Sequence, residues 1–397
     1  MEGTGTQTRE GGGIQVNGMV TAGYERVRDA FAANFAERGE IGASVAIVAG
    51  GDPVVNLWAG WADPGRTRPW RVDTLTNVWS TTKNMTALCI AILVDRAGLD
   101  AEDRVARFWP EFAAAGKGEI TLGWLMSHRA GLSGLTTPIT VTDWQDWEKI
   151  TTLLAAQAPL WEPGTVSGYH AVTFGFLAGE VVRRVTGQTL GEFFAAEVAR
   201  PLRADFWIGL DAADLPRCSD MQEVRPTEAE QSALMAAFAN AHPAAQAALL
   251  NPVLTGAEAN EPGWRTAEIP AANGHGTALA LATIMGSLAD GSQRVISRAA
   301  MEAARTGQGR CTDLVLGFPL EFGLGFALGG PEGHFGPNPI AFGHDGFGGS
   351  SAWADPEAGV GAAYVMNRMG LGLADDSRKM AIVSAVQASL ARLTGRR

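Results

Sequence analysis

The sequence is poor in cysteine and in clustered positive charge. Its three cysteines, Cys89, Cys218 and Cys311, are widely spaced and form no C-x-x-C pair, which argues against a disulfide framework and against a zinc site. Lysine and arginine total 31 against 42 aspartate and glutamate residues, giving a net charge of −11. Because a nucleic-acid partner needs a basic stripe, this balance argues against one.

Long apolar segments are also absent. No apolar run reaches the length that a membrane span needs, and residues 1–13 are mostly Gly, Thr and Glu rather than the apolar centre of a secretory signal. No H-E-x-x-H, phosphate-binding loop or dinucleotide fingerprint occurs. We therefore expect a cytoplasmic protein without metal, nucleotide or other cofactor and without a membrane partner, beginning with a flexible tail at residues 1–13.

The two ends of the chain carry similar patterns. Apolar residues are 46% and charged residues 18%, as in ordinary globular proteins. Near the N-terminus, a helical stripe from Tyr24 to Phe35 precedes two strand patterns, at 45–48 and 54–58. After residue 312, short glycine-punctuated strands are predicted at 323–330, 339–343, 350–354 and 361–366, followed by an amphipathic helix at 376–393.

The middle of the chain has a helical pattern. Helices are predicted at 122–128, 146–156, 172–185, 190–199, 229–250 and 278–288. These patterns together predict an α+β fold, in which one antiparallel sheet is built from both chain ends and flanked by the terminal helices. The predicted domains are a discontinuous α/β sheet domain at 14–83 and 312–397, and a mainly helical insertion at 84–311.

A hydroxyl and an amine lie three residues apart where a helix is predicted to begin. Ser80 and Lys83 precede an apolar helical run that extends to Ala97. Positions i and i+3 share one face of a helix, so the lysine amine can reach the serine hydroxyl. The partial positive charge of the helix N-terminus and burial under apolar side chains both favour a neutral amine that accepts a proton. The spacing predicts a nucleophile beside its base.

Tyr169 is the candidate for a third catalytic group. It follows a turn at Pro163-Gly164 and precedes a helix, so its phenol is presented from a loop, and the chain has only three tyrosines. A phenol near a cationic lysine can act as a general base, because the charge lowers its pKa. The alternative is an amphipathic tyrosine that merely begins a helix.

A glycine-rich stretch provides candidates for binding an oxyanion and a substrate. Ten of the thirty residues from Glu321 to Ser350 are glycine, and strands carry so much glycine where a backbone or a ligand comes close. We expect the backbone N–H groups of Phe347 and Ser80 to stabilise the oxyanion of an acyl-transfer reaction. Trp353, on the strand that follows, is the candidate wall of an acyl pocket.

In this order and at this spread, the motifs resemble the serine β-lactamase and penicillin-binding fold, and more closely a family VIII carboxylesterase. The resemblance runs from about Val16 to Leu393 and includes the segments 78–83, 125–132, 161–165 and 364–369. It implies that Ser80 is acylated, that Lys83 and Tyr169 transfer protons, and that residues 344–346, with His344 and Gly346 binding substrate, lie on the strand at the edge of the pocket.

Two positions depart from the class C β-lactamase pattern. Ala171 stands where that pattern has asparagine, and His344-Asp345-Gly346 stands where it has Lys-Thr-Gly. A histidine is expected to titrate near neutrality, so a fixed positive charge for a β-lactam carboxylate is missing. The predicted partner is therefore a small neutral ester. The resemblance implies hydrolysis of short-chain carboxylic esters, while the acyl chain length, the alcohol and the natural substrate stay open. The alternatives are a β-lactamase, D-aminopeptidase or acyltransferase of the same fold, or a relative that is acylated without turnover, and the oligomeric state stays open.

Overall fold

The computed structural model describes residues 14–223, 226–239, 241–331, 333–371, 376–393 and 395. The tail predicted at residues 1–13 lies outside the described residues. The strands are β1 (Val16–Val20), β2 (Gly42–Ala49), β3 (Asp52–Gly60), β4 (Thr76–Asn77), β5 (Phe206–Ile208), β6 (Gly274–Gly276), β7 (Cys311–Thr312), β8 (Pro319–Leu320), β9 (Ala327–Leu328), β10 (Phe342–Asp345), β11 (Ser351–Asp355) and β12 (Val360–Met366).

The α-helices follow the predicted pattern in the middle of the chain, except that the segment predicted as one helix at 229–250 forms two. They are α1 (Glu25–Glu37), α2 (Lys83–Ala97), α3 (Leu122–Met126), α4 (Trp147–Ala156), α5 (Thr173–Thr186), α6 (Leu190–Phe194), α7 (Arg200–Leu202), α8 (Glu228–Ala239), α9 (Pro243–Leu249), α10 (Pro262–Thr266), α11 (Ala278–Ala289), α12 (Arg298–Ala304) and α13 (Ser377–Leu393).

The main sheet combines both ends of the chain, as predicted. Its strand order is β1-β3-β2-β12-β11-β10-β9, and each neighbouring pair for which a register is defined is antiparallel. The central pair joins β2 to β12, with Val45 opposite Tyr364. Strand β1 is not among the sequence predictions. It lies at the edge of the sheet and contains Gly18, whose φ of 111° breaks a regular strand pattern.

Helices cover both faces of this sheet. On one face, α1 packs beside α13, and the ring of Phe31 meets that of Tyr364 at a centroid distance of 6.5 Å. On the other face lies α11, and a Cβ atom on Gly361 would lie 2.0 Å from the backbone nitrogen of Gly286. This close approach requires glycine on the strand. Helix α11 lies in the segment 84–311, which the sequence predicts to be a separate helical domain, yet it packs on the main sheet. The domain boundaries at 83 and 312 stay a prediction.

Helix α2 lies at the centre of the molecule. Every residue from Lys83 to Leu93 is buried, and the helix packs against α5, α6 and α12. A small sheet of order β4-β6-β5 joins the segment just before α2 to the middle of the chain. The turn that carries Ser80 contacts strand β10 of the main sheet, strand β6 of the small sheet and helix α2. Among the described helices, none combines the length and the apolar character that crossing a bilayer requires.

Candidate active site

Ser80 lies in a short 3₁₀ turn, Trp79–Thr82, directly before α2. Ser80 is half-buried, and Trp79 before it has a positive φ of 47°, an uncommon backbone conformation for a bulky residue. The residue that caps α2 is Thr82, and no side chain makes the capping hydrogen bond. Ser80 is therefore not the N-terminal cap of α2.

Lys83 is completely buried beneath Ser80, and its amine has three polar neighbours. Its Nζ lies 3.0 Å from Ser80 Oγ and donates to the carbonyl oxygens of Ala171 at 2.7 Å and Ala271 at 3.0 Å. Burial lowers the pKa of this lysine well below its ordinary value. A neutral amine has two N–H donors and one lone pair. With both donors used by the two carbonyls, the lone pair is left for the Ser80 hydroxyl proton.

Tyr169 completes the group around the serine. Its ring centroid lies 4.8 Å from Lys83 Nζ. Burial raises the pKa of the Tyr169 phenol, and the nearby Ser80 side chain opposes this only in part. The expected lowering of this pKa by a lysine cation is therefore wrong, because Lys83 is itself too deeply buried to favour its charged form.

The segment 167–170, which carries Tyr169, is held along its backbone from two sides. The N–H groups of Ser167 and Gly168 donate to Cys311 Sγ at 3.3 Å and to His128 O at 2.9 Å. Those of Tyr169 and His170 donate to Asp313 Oδ1 at 3.0 Å and to His128 Nδ1 at 3.0 Å. His128 is completely buried and has a φ of 63°. It fixes this segment in place, as expected for a core histidine that holds a loop.

His344 lies on the other side of the phenol. Its ring centroid is 5.9 Å from that of Tyr169, and its Nδ1 lies 2.7 Å from the carbonyl oxygen of Asp345, to which it donates. Burial lowers the pKa of His344 to about 3. The expectation of titration near neutrality is therefore wrong, and the ring is neutral at physiological pH. Its Nε2 has no partner among the described residues and is a free acceptor.

The glycine-rich segment forms a tight turn at residues 346–349. The carbonyl of Gly346 accepts a hydrogen bond from the N–H of Gly349 at 3.1 Å, and Gly348 has a φ of 91°, which fits a type II turn. Within the described part of the chain, the backbone N–H groups of Phe347 and Ser80 donate to no other group. Both are free to bind an anion, while the oxyanion site itself stays a prediction.

Trp353 does not line the site, so this part of the sequence prediction is wrong. The side chain is completely buried. Trp353 pairs with Ala362 on the neighbouring strand, and the two side chains therefore lie on the same face of the sheet. Ala362 is two residues from Tyr364, so this is also the face on which Tyr364 contacts Phe31. His344 pairs with the residue before Trp353 and points to the opposite face. The alternation of side chains along a strand therefore directs the tryptophan away from Ser80.

Two residues of the site region were missed. Ser350 Oγ donates to the carbonyl of Val78 at 2.8 Å and lies 3.1 Å from Thr81 Oγ1, joining the glycine turn to the Ser80 turn. Asp313 binds the Tyr169 segment, as given above. An aspartate before a glycine-ended turn is a sequence signal for local backbone hydrogen bonding. Nothing in the sequence indicates that such a turn contacts a segment 144 residues away.

The family model described as β-lactamase matches residues 27–387. The chain belongs to the β-lactamase family. A curated member, the esterase/β-lactamase LipL of Mycobacterium tuberculosis, is 38% identical over 368 residues, which cover 90% of this chain and 84% of LipL.

Solved structures of the family agree with this assignment. A family VIII carboxylesterase is 42% identical with a TM-score of 0.89, and the match covers 95% of this β-lactamase-family chain and all of that one. A penicillin-binding protein homologue from Caulobacter crescentus is 40% identical with a TM-score of 0.84, covering 94% of this chain and 100% of that one. The resemblance predicted from the motifs is confirmed.

Proposed function

We propose that this protein is a serine carboxylesterase that hydrolyses small neutral esters with short acyl chains through an acyl-enzyme on Ser80. The observation that supports this most directly is the set of contacts of Lys83, whose two carbonyl acceptors leave its lone pair for the serine at 3.0 Å. A nucleophile beside an unprotonated base is what covalent acyl transfer requires. The esterase names of the relatives support the same class.

In the proposed acylation step, Ser80 Oγ forms a bond to the ester carbonyl carbon while its proton moves to Lys83 Nζ. The carbonyl electrons move to oxygen, and the N–H groups of Ser80 and Phe347 stabilise this oxyanion. The C–O bond to the alcohol then breaks. The alcohol oxygen takes the proton of the Tyr169 hydroxyl, which is replaced by a proton from the Lys83 ammonium. The products are acyl-Ser80, a neutral lysine and a free alcohol.

Deacylation reverses the roles with water as the nucleophile. The water oxygen bonds to the acyl carbon as its proton passes to the Tyr169 and Lys83 pair. Collapse of the second oxyanion breaks the bond to Ser80 Oγ, which regains a proton, and the carboxylic acid leaves. In this scheme Lys83 is the base and Tyr169 is a protonated relay, because burial lowers the pKa of the lysine and raises that of the phenol.

The electrostatics around Ser80 support a neutral substrate. Burial lowers the pKa of His344 to about 3, so its ring is uncharged at neutral pH, and burial also disfavours the charged form of Lys83 by lowering its pKa. The carboxylates of Asp313 and Asp345 lie near enough to Tyr169 to raise its pKa. A carboxylate on a substrate would find negative neighbours and no compensating cation among these groups. The missing amide at Ala171 acts in the same direction for β-lactams.

A β-lactamase activity is the second candidate, because the relative LipL carries both names. The test compares hydrolysis of p-nitrophenyl esters of two to twelve carbons with hydrolysis of nitrocefin, for wild type and Ser80→Ala. Ser292→Ala, at an exposed serine, is the control. We expect short esters to be the best substrates and Ser80→Ala to abolish turnover. Full ester hydrolysis by Ser80→Ala would overturn the proposal, and a preference for nitrocefin would favour the second candidate.

A non-turnover relative is distinguished by mass spectrometry of the intact protein. Under the proposed function, an acyl adduct appears during turnover and disappears when the ester is consumed. An adduct that persists, with one equivalent of alcohol released, would identify the non-turnover alternative instead. A small ester as partner and a cytoplasmic location also remain proposals, and fractionation of cells that produce the protein tests the location.

A further inference from the structure

Asp313 is a buried carboxylate whose hydrogen bonds all go to uncharged groups. Its Oδ1 accepts from the N–H groups of Tyr169 at 3.0 Å, Val315 at 2.9 Å and Leu316 at 3.0 Å, and its Oδ2 accepts from Ser167 Oγ at 2.7 Å. It is 1% exposed, and no described Lys, Arg or His side chain forms an ion pair with it. A buried charge without a counter-charge is costly, so its several hydrogen bonds must offset a large desolvation penalty.

These bonds join two segments that are far apart in sequence. The Asp313 turn meets the Tyr169 segment through the carboxylate and through a further bond from the N–H of Leu314 to the carbonyl of Ser167 at 2.9 Å. Val315 from this turn and Tyr169 belong to one apolar cluster. The carboxylate thus fixes the backbone at Tyr169 while its own turn packs against the same side chain. Only two side-chain torsions separate that fixed backbone from the phenol oxygen.

We propose that Asp313 is a positioning residue, which holds the Tyr169 phenol against Ser80 by binding the backbone of the segment that carries it. This inference rests on the proposed function, in which the phenol relays a proton between Lys83 and the leaving alcohol. Asp313 makes no hydrogen bond to Ser80 or to Lys83. Its effect on the reaction is therefore indirect, through the position of one side chain.

The charge of Asp313 has a second effect on the same phenol. After burial, which is the main cause, the negative charge of Asp313 contributes to raising the pKa of Tyr169. A relay group must hold its proton until the alcohol leaves, so a carboxylate behind the phenol keeps it in the protonated form. Asp313 thus supports both the position of the Tyr169 phenol and its protonated state.

The test uses Asp313→Ala, Asp313→Ser and Asp313→Asn. Ser167→Ala is the comparison variant, which removes the bonds of Ser167 Oγ to Asp313 Oδ2 and Cys311 Sγ and keeps the bond from the Tyr169 N–H to Asp313. We expect Asp313→Ala and Asp313→Ser to lower kcat about 10²-fold, the typical effect of misplacing a catalytic group, with KM little changed. Asp313→Asn should restore most of kcat, because its amide oxygen can accept the Tyr169 N–H and its amide nitrogen can donate to Ser167. Ser167→Ala should lose less kcat than Asp313→Ala, because the Tyr169 N–H keeps its acceptor.

A second readout does not depend on turnover. The chain has three tyrosines, so protein labelled with ¹³C at the phenol carbon gives a small set of signals that Tyr169→Phe assigns. We expect Asp313→Ala to change the ¹³C chemical shift of Tyr169 and to leave the chemical shifts of Tyr24 and Tyr364 unchanged. Should Asp313→Ala fail to fold, Asp313→Ser carries the same test.

A folded Ala or Ser variant with wild-type kcat, or with an unmoved Tyr169 signal, would overturn the positioning role. The two proposals fail separately. If Ser80→Ala kept full activity, the serine mechanism would be lost, while the signal of Tyr169 would still report whether Asp313 holds it.

Discussion

A Cβ atom on Gly346 would lie 2.2 Å from the carbonyl oxygen of Val78, two residues before the nucleophile. It would also lie 2.1 Å from Ser350 Oγ, the hydroxyl that binds the same carbonyl. Glycine at this position is therefore what allows the turn at 346–349 to lie against the Ser80 turn. Phe347 follows Gly346 in this turn, and its ring lies 5.6 Å from that of Trp79, the residue before the nucleophile.

Gly346→Ala should separate the two turns and weaken oxyanion binding. Loss of one oxyanion donor typically lowers kcat about 10²–10³-fold, and we expect a fall of that order in ester hydrolysis. Gly118→Ala is the control, because a Cβ there meets only ordinary contacts, the nearest atom being 3.9 Å away. Steady-state kinetics of both variants decide the matter. Equal activity of Gly346→Ala and Gly118→Ala would argue against an oxyanion role for this turn.

The pH dependence of kcat/KM should reflect Lys83 and not His344. The lysine must be neutral to act, so activity is lost as pH falls through its pKa, which burial places well below the ordinary lysine value of about 10.4. His344 has a pKa of about 3 and contributes no step between about pH 5 and 8. We expect His344→Gln to leave the pH at which kcat/KM falls on the acid side of the profile unchanged. Loss of this fall in His344→Gln would assign the titration to the histidine.

A lysine at position 344 should change the charge preference of the site. His344→Lys places a flexible amine where the neutral imidazole stands, beside Tyr169. We expect the ratio of nitrocefin to neutral ester turnover to rise about tenfold, which corresponds to about 1.4 kcal/mol. His344→Gln serves as the neutral control. A ratio that is the same in the Lys and Gln variants would show that charge at this position does not select the substrate.

Parts of this arrangement could be predicted from the sequence because they are local. The i, i+3 spacing of Ser80 and Lys83 depends only on the start of a helix, and that helix begins where its apolar run does. The sheet from both chain ends followed from strand patterns at 45–48 and 361–366. Strand β1 escaped prediction because Gly18 interrupts its pattern at the edge of the sheet.

Other features depend on packing that a single sequence does not encode visibly. The face on which Trp353 lies follows from strand register, and a shift of one residue would reverse it. The protonation states of Tyr169 and His344 follow from burial in the assembled fold rather than from their neighbours in sequence. The contact of Asp313 with the Tyr169 segment joins positions 144 residues apart. Each of these required the assembled fold.

A buried ionic network supports the glycine turn from the side of α13. Arg378 is 3% exposed and donates to Glu40 Oε2 at 3.1 Å, to Asp376 Oδ2 at 2.7 Å and to the carbonyl of Gly348 at 2.9 Å. Removing one partner of a buried pair leaves the other without compensation. Arg378→Met should therefore lower the free energy of unfolding by about 3–5 kcal/mol.

Urea denaturation measures this change, and the double variant Arg378→Met with Glu40→Gln is the control. The double variant should be less destabilised than Arg378→Met alone, because it removes one of the two carboxylate charges that are left without Arg378. If both lose the same free energy of unfolding, the ion pair is not the source of the effect.

The central claim is that a neutral Lys83 activates Ser80 for acylation. The most direct measurement is the rate of the first turnover, followed as the p-nitrophenol burst, in wild type and Lys83→Arg, with mass spectrometry locating the acyl group. Arginine retains N–H donors but is always protonated, so it has no lone pair to accept the serine proton. The account predicts an acyl group on Ser80 in the wild type and a burst slowed about 10²–10⁴-fold in Lys83→Arg. A normal burst in Lys83→Arg, or an acyl group on another residue, would contradict it.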